Sequence, residues 1–219
     1  MSNIRYGVYM RPDPATCWTV TQITTALRAQ YGLISAGAFP PHATLVGNLA
    51  TDASADEVIA AVDPVLKAAP AVEVFNAGIV RVANCYEYDI NLDVTGRTPN
   101  QQLGTLATNV IQAVLPLSKV ADDSYTVQVE DFAFSAHLGL ASHDLKVDSH
   151  LSDEVGEFLS GLPLTPPRSF LARWYSAFEF QADDWTGEWW KSLTWKHLRS
   201  WNVPSRPSAS QATKQLRIQ

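Results

Sequence analysis

Two octets in this chain of 219 residues hold a histidine in the same apolar frame. Residues 38–45 read AFPPHATL and residues 133–140 read AFSAHLGL, matching at Ala38/Ala133, Phe39/Phe134, His42/His137 and Leu45/Leu140. The histidines are 95 positions apart. An unperturbed imidazole titrates at about pH 6.5, so near neutrality one ring of a pair can be neutral while the other is charged. The neutral ring can take a proton from an attacking oxygen, and the charged ring can give one to a leaving oxygen. A phosphate placed between them would be opened without a metal. Thr44 can hydrogen-bond a non-bridging phosphate oxygen, a contact that counts most in a partly dry cleft.

The elements around the octets decide whether the rings can meet. Side chains on a strand alternate between faces. Read as strands over 42–49 and 132–141, the two segments point His42 with Thr44, and His137 with Gly139, to one face. Ala43 and Leu45 then turn toward the core. A short repeat in each half of a chain suggests a duplicated unit with pseudo-twofold symmetry, which can bring both histidines to one cleft.

The remaining pattern is mixed. Residues 4–10 read as a strand that ends at Arg11-Pro12-Asp13-Pro14. A helix follows with Val20, Ile23, Leu27 and Tyr31 on one face and Gly32 as its stop. A second helix is predicted over 54–69, with Val58, Val62, Val65 and Leu66 aligned and Pro64 expected to kink or split it. Strand-like runs at 72–82 and 85–94, separated by Ala83-Asn84, predict a hairpin. A helix over 99–115 aligns Leu103, Leu106, Val110 and Val114. Another is predicted over 152–160, with Ser152 as N-cap and Asp153 and Glu154 in its first turn. Residues 168–180 and 192–203 read as two long strands joined by a Trp-rich turn. The Pro/Ser-rich tail from 204 to 219 is expected to be mobile. Strands, helices and hairpins without regular βα alternation predict an α+β fold. The expected architecture is one bilobal domain over 1–203, with antiparallel sheets from two pseudo-twofold-related lobes flanking a central cleft and helices outside.

Composition narrows the function classes. Hydrophobic residues make up 46% and charged residues 17% of the chain, as in ordinary globular proteins. The net charge of −6 argues against wrapping long nucleic acid by charge alone. From Arg168 onward, however, eight Lys/Arg face four Asp/Glu, so a local basic face can serve a phosphate-bearing ligand. No apolar run reaches the roughly 20 residues of a membrane helix. The opening MSNIRYGVYMRPDP lacks a signal-peptide pattern, and a cytoplasmic monomer is expected. Cys17 and Cys85 form neither a disulfide framework nor a zinc site, and Cys85 reads as a packed thiol. His143 and His150 read as solvated loop residues because their spacing fits no common ligand pattern. His197 reads as a surface residue. Trp174 and Tyr175, beside Arg173, are candidates for base or phosphate contact. No P-loop, nucleophile elbow or HExxH is present. No cofactor and no metal are expected.

At FPPHATLVGNL and at His137 the sequence resembles the 2H phosphoesterase superfamily, marked by a His-x-Ser/Thr motif in each lobe. The opening strand ending in Arg11-Pro12-Asp13 is similar to the plant and fungal cyclic phosphodiesterase branch, and the order of elements matches over about residues 4–203. The resemblance implies His42 and His137 as the catalytic pair and Thr44 as a phosphate ligand. It implies Tyr9 as an aromatic beside the ligand. It departs at Gly139, where the family has Ser or Thr; the Gly139 N–H, a water or Ser142 can stand in for the lost hydroxyl. The implied reaction is hydrolysis of a cyclic phosphate on a nucleotide or RNA end. Open alternatives are a 2′-5′ phosphodiesterase or RNA ligase with the same site, a non-catalytic RNA-end binding module, and a purely structural protein.

Overall fold

In a computed structural model the structure describes residues 3–119 and 134–204. Positions 132 and 133, where the second octet and its expected strand begin, and the polar tail from 205 onward lie outside the described residues.

Strand β1 (Ile4–Arg11) is buried along nearly its whole length because it is central. It pairs antiparallel with β2 (Ala43–Leu49) on one side and β8 (Trp174–Gln181) on the other, and β9 (Thr194–Asn202) completes a four-stranded sheet in the order β2-β1-β8-β9. Helix α1 (Pro14–Tyr31) connects β1 toward β2. Asp13 caps it by accepting the Thr16 N–H at 2.9 Å, Pro14 opens it, and Gly32 closes it in the left-handed region at φ 75°. Helix α2 (Ala55–Ala68) starts with a reciprocal Ser54–Glu57 capping box.

Pro64 does not split α2. Its ring lies on the exposed side, as does Ala60, whose carbonyl loses its amide partner and can turn to water, while Val58, Val62 and Leu66 form an unbroken buried face. The expected strand over 72–82 is divided instead. The Asn76 side chain accepts the Gly78 N–H at 2.9 Å, and Gly78 sits at φ 109°, so the chain turns between β3 (Val72–Phe75) and β4 (Gly78–Val82). The predicted hairpin joins β4 to β5 (Cys85–Asp89) through Ala83-Asn84, with Ala83 at φ 53°. Cys85 is half-buried at the start of β5 rather than packed in the core.

Helix α3 (Gln101–Val114) buries the four aligned apolar residues as predicted. Strand β6 (His137–Ala141) pairs with β5, giving a sheet β4-β5-β6. Residues after β6, read as loop from sequence, form the short helix α4 (His143–Val147). Helix α5 (Ser152–Gly161) has the acidic first turn expected of it, but Ser152 does not cap it; its hydroxyl is buried and donates to the Asn84 carbonyl at 2.9 Å. The long strand expected over 168–180 is broken at Arg173, so β7 (Ser169–Ala172) pairs with β3 while β8 joins the first sheet.

The result is the predicted α+β fold, with antiparallel pairing in all three sheets of the described residues. One continuous apolar core joins the lobes. Helix α1 packs on β6 and α3 packs on β2, so a helix from each half covers the histidine strand of the other. No helix among the described residues is long and apolar enough to cross a membrane.

Candidate active site

Each histidine stands at the entrance to an outer strand, next to two core residues. Ala43, Leu45, Leu138 and Leu140 are buried to within 1% of full occlusion. Each leucine contributes about 2 kcal/mol through burial. A one-residue slip would put these leucines in the cleft and the imidazoles in the core. The apolar members of the octets thereby hold the polar ones outward.

The two rings are held by the same bond. His42 Nδ1–H donates to the Pro40 carbonyl at 2.8 Å, and His137 Nδ1–H donates to the Ser135 carbonyl at 2.9 Å. In both cases the acceptor lies two residues upstream. A carbonyl can only accept, so the bond places the proton on Nδ1 and leaves Nε2 as the free nitrogen of the neutral ring. Both rings line a single cavity of about 370 Å³, together with Tyr9, Thr44, Gly139 and Ser142.

His42 is set in an aromatic box. Its ring centroid is 4.7 Å from Tyr9 and 4.6 Å from Phe39. Phe39 belongs to a satellite cluster with Tyr9, Phe178 and Phe180. Burial lowers the His42 pKa to about 4; the Pro40 hydrogen bond opposes the shift, and the positive charges of His137 and Arg11 reinforce it. At neutral pH His42 is an uncharged base. Tyr9 lies across β1–β2 from Thr44, and burial pushes its phenol up. Its ring folds back over Gly7, where a Cβ would come within 2.2 Å of the Tyr9 hydroxyl, so the pose of Tyr9 requires glycine there.

His137 has a different neighbour. The Glu87 carboxylate stands 3.7 Å from its Nε2. The β5–β6 register sets Glu87 opposite Gly139 and Asp89 opposite His137, so these four positions share one face. Burial raises the Glu87 pKa, the charge of His137 pulls it down, and Asp89 pushes it up again. A Cβ at Gly139 would meet no atom within 4 Å, so the side chain lost from the second motif leaves open space. Ser142, the other suggested replacement, lines the cavity, and its hydroxyl is paired with Ser35 Oγ at 3.1 Å.

The two segments are bolted together by Asp144. Its buried carboxylate accepts the N–H groups of Ile34 and Ser35 at 3.0 and 2.6 Å and the Trp190 indole N–H at 3.0 Å. One side chain just after the second histidine thus fixes the loop just before the first. His143, expected as a solvated loop residue, is instead half-buried in the cavity wall and stacked on Trp190 at 5.3 Å and 19°. Burial lowers its pKa to about 4, helped by Lys146 and opposed by Asp144. Lys146 lines the same cavity.

The other candidates lie elsewhere. Tyr175 is fully buried and its hydroxyl donates to the Pro70 carbonyl at 3.4 Å, because β8 is a central strand covered on both faces. Trp174 is exposed at the first position of β8, between Arg11 and Asn202, and does not line the cavity. His150 and His197 are exposed, as expected. Among the described residues no three His, Cys, Asp or Glu side chains converge as a metal site requires. Glu87 and Lys146 play no part in the sequence reading, and His143 enters it only as a solvated loop residue. The only signal for Glu87 was its alternation with the buried Tyr86 and Tyr88, which gives its face but not its partner strand.

No family model matches this sequence, and no curated protein matches it. Among solved structures, the crystal structure of E. coli LigT complexed with 3′-AMP is similar at a TM-score of 0.51 and 15% identity, over 92% of this chain and 98% of that one. A crystal structure described as a phosphoesterase matches at a TM-score of 0.49 and 14% identity, over 92% and 99% of the two chains. Kluyveromyces marxianus Usb1 with uridine monophosphate matches at 0.42 and 14%, over 90% and 99%. The first of these likenesses shows that the chain has the LigT fold.

Proposed function

We propose that this chain is a 2H phosphoesterase, a metal-independent phosphodiesterase that opens a cyclic phosphate on a nucleotide or RNA end. The observation that carries the reading is the duplicated Nδ1–carbonyl bond, which leaves Nε2 of each ring unbonded to backbone while both rings line one cavity. The LigT fold adds support, and E. coli LigT is itself complexed with a nucleotide, 3′-AMP.

The surroundings of the rings support a division of roles. His42, neutral in its aromatic box, is the general base. His137, facing the Glu87 carboxylate, is the general acid. A water oxygen attacks phosphorus and gives its proton to His42 Nε2. The bond from phosphorus to one ribose oxygen breaks, and that oxygen takes the proton of His137 Nε2. The product is a phosphomonoester, and proton exchange with solvent resets the pair. Thr44 Oγ1 donates to a non-bridging oxygen as charge develops there. On the second motif's side that place falls to the Gly139 N–H, Ser142 or a water.

A second reading, a nucleotide-binding module without turnover, is favoured by Gly139. One assay separates the two. Nucleoside 2′,3′-cyclic phosphates and 2′-5′ dinucleotides are incubated with the protein in excess EDTA. Turnover of the cyclic substrate to a monoester is expected. Selective cleavage of the dinucleotide would replace the substrate, a requirement for added metal would sink the mechanism, and binding without turnover would establish the module.

A further inference from the structure

A second cavity, of about 510 Å³, adjoins the histidine cleft. The two share Ala36, Phe39 and Pro41, so the loop that delivers His42 is the wall between them. The far side of this cavity is the face of α1 that presents Thr21, Thr25 and Arg28 at one-turn spacing. Its rim is Trp195 at the start of β9, a residue 43% exposed whose ring meets Phe39 edge-on at a centroid distance of 5.7 Å. Among the described residues that line it, Arg28 is the only charged one. In a chain with a net charge of −6, an acid-free groove holding one guanidinium beside a phosphate-handling cleft is a specific arrangement.

The geometry points to this groove as the subsite for the next nucleotide of a single-stranded RNA whose terminal phosphate lies between the histidines. This rests on the reading above and narrows it from free nucleotides to oligonucleotide ends. A guanidinium matches an internucleotide phosphate. An exposed indole offers a stacking face that accepts any base. The threonine hydroxyls can meet ribose hydroxyls or water. None of these groups touches the phosphorus that reacts, so the groove contributes to holding the strand and not to opening the bond. Uniform binding of this kind lowers KM and leaves kcat unchanged.

The test compares a nucleoside 2′,3′-cyclic phosphate with an RNA trinucleotide ending in the same group. In the native protein the trinucleotide should show a KM about tenfold lower at equal kcat. Arg28→Gln and Trp195→Ala should each remove most of that advantage and leave the mononucleotide constants unchanged. Trp195→Phe should restore part of it by keeping a stacking face. In Arg28→Gln the slope of log affinity for the trinucleotide against log salt should fall by about 0.7. Equal KM for the two substrates, or equal damage to both in Arg28→Gln, would overturn the inference. If neither substrate turns over, the catalytic reading fails and the groove is judged alone, by tryptophan fluorescence on titration with an RNA trinucleotide 3′-phosphate: weaker binding in Arg28→Gln supports it, and unchanged or absent binding rejects it.

Discussion

At His42 the imidazole is walled by Tyr9 and Phe39, and Thr44 follows two residues later. At His137 the same Nδ1–carbonyl bond holds a ring that faces Glu87, and Gly139 follows two residues later. The matched phenylalanines diverge as well. Phe39 packs in the satellite aromatic cluster beside the ring, whereas Phe134 packs against the main core. The duplicated part is therefore the backbone and the buried leucines, which place a ring. The part that differs is the medium around each ring: aromatic walls at His42 and a carboxylate at His137. Burial against two aromatic rings favours the neutral form of His42. One local fold places two rings in unlike surroundings, and the proposed division into base and acid rests on that difference.

The most severe way to break this comparison is to delete either ring. His42→Ala and His137→Ala should each lower kcat on the cyclic phosphate by about 10²- to 10⁴-fold, with KM changed far less. The double variant should be little worse than either single one, because acid and base act in one transition state. Steady-state kinetics on the three variants checks this. Additive losses would mean that the rings do not work as a pair.

A milder test exchanges the partners of the rings. Thr44→Val keeps shape and removes the hydroxyl, with an expected loss of about 10²-fold in kcat if no other donor replaces it. Gly139→Thr does the reverse. The strand there has ordinary backbone and the new Cβ meets open space, so the variant should fold normally. A hydroxyl restored to the second motif should raise kcat/KM by about fivefold, the value of roughly 1 kcal/mol from one hydrogen bond. A fall in activity with unchanged melting temperature would show that the open space at position 139 is itself used by the substrate.

Much of this placement was legible in the sequence, and the gaps have physical causes. The periodicity and caps of α1, with Asp13, Pro14 and Gly32, are local signals, and local hydrogen bonds satisfy them. The paired octets pointed to both rings because strand alternation is local too. What failed was partner choice. Residues 72–82 and 168–180 each read as one strand, since alternation reports the face of a residue and not the sheet it joins. The breaks at Asn76 and Arg173 send β3 and β7 to a sheet of their own. Glu87 was invisible for the same reason: its importance comes from a register across 50 residues of chain. Tyr175 failed because a central strand is covered on both faces, which no pattern in its own segment announces. His143 was read as loop because the helix that holds it is five residues long.

The smallest expected effect sharpens the contrast without any substrate. His42 is held at about 4 against an ordinary value of 6.5, chiefly by burial, and His143 is held at about 4 in the same way. Between those values the unfolded chain binds protons that the folded chain refuses. For these groups stability rises as pH increases from about 4 to 6.5 and is level above that range. Urea titrations across the range should show the free energy of unfolding falling as the buffer is acidified. His42→Gln, which cannot take up a proton, should flatten part of that slope, and replacing His143 as well should flatten it further. A slope unaffected by His42→Gln would mean that water reaches the ring freely, and the aromatic box would then give no reason to assign the base to this half of the site.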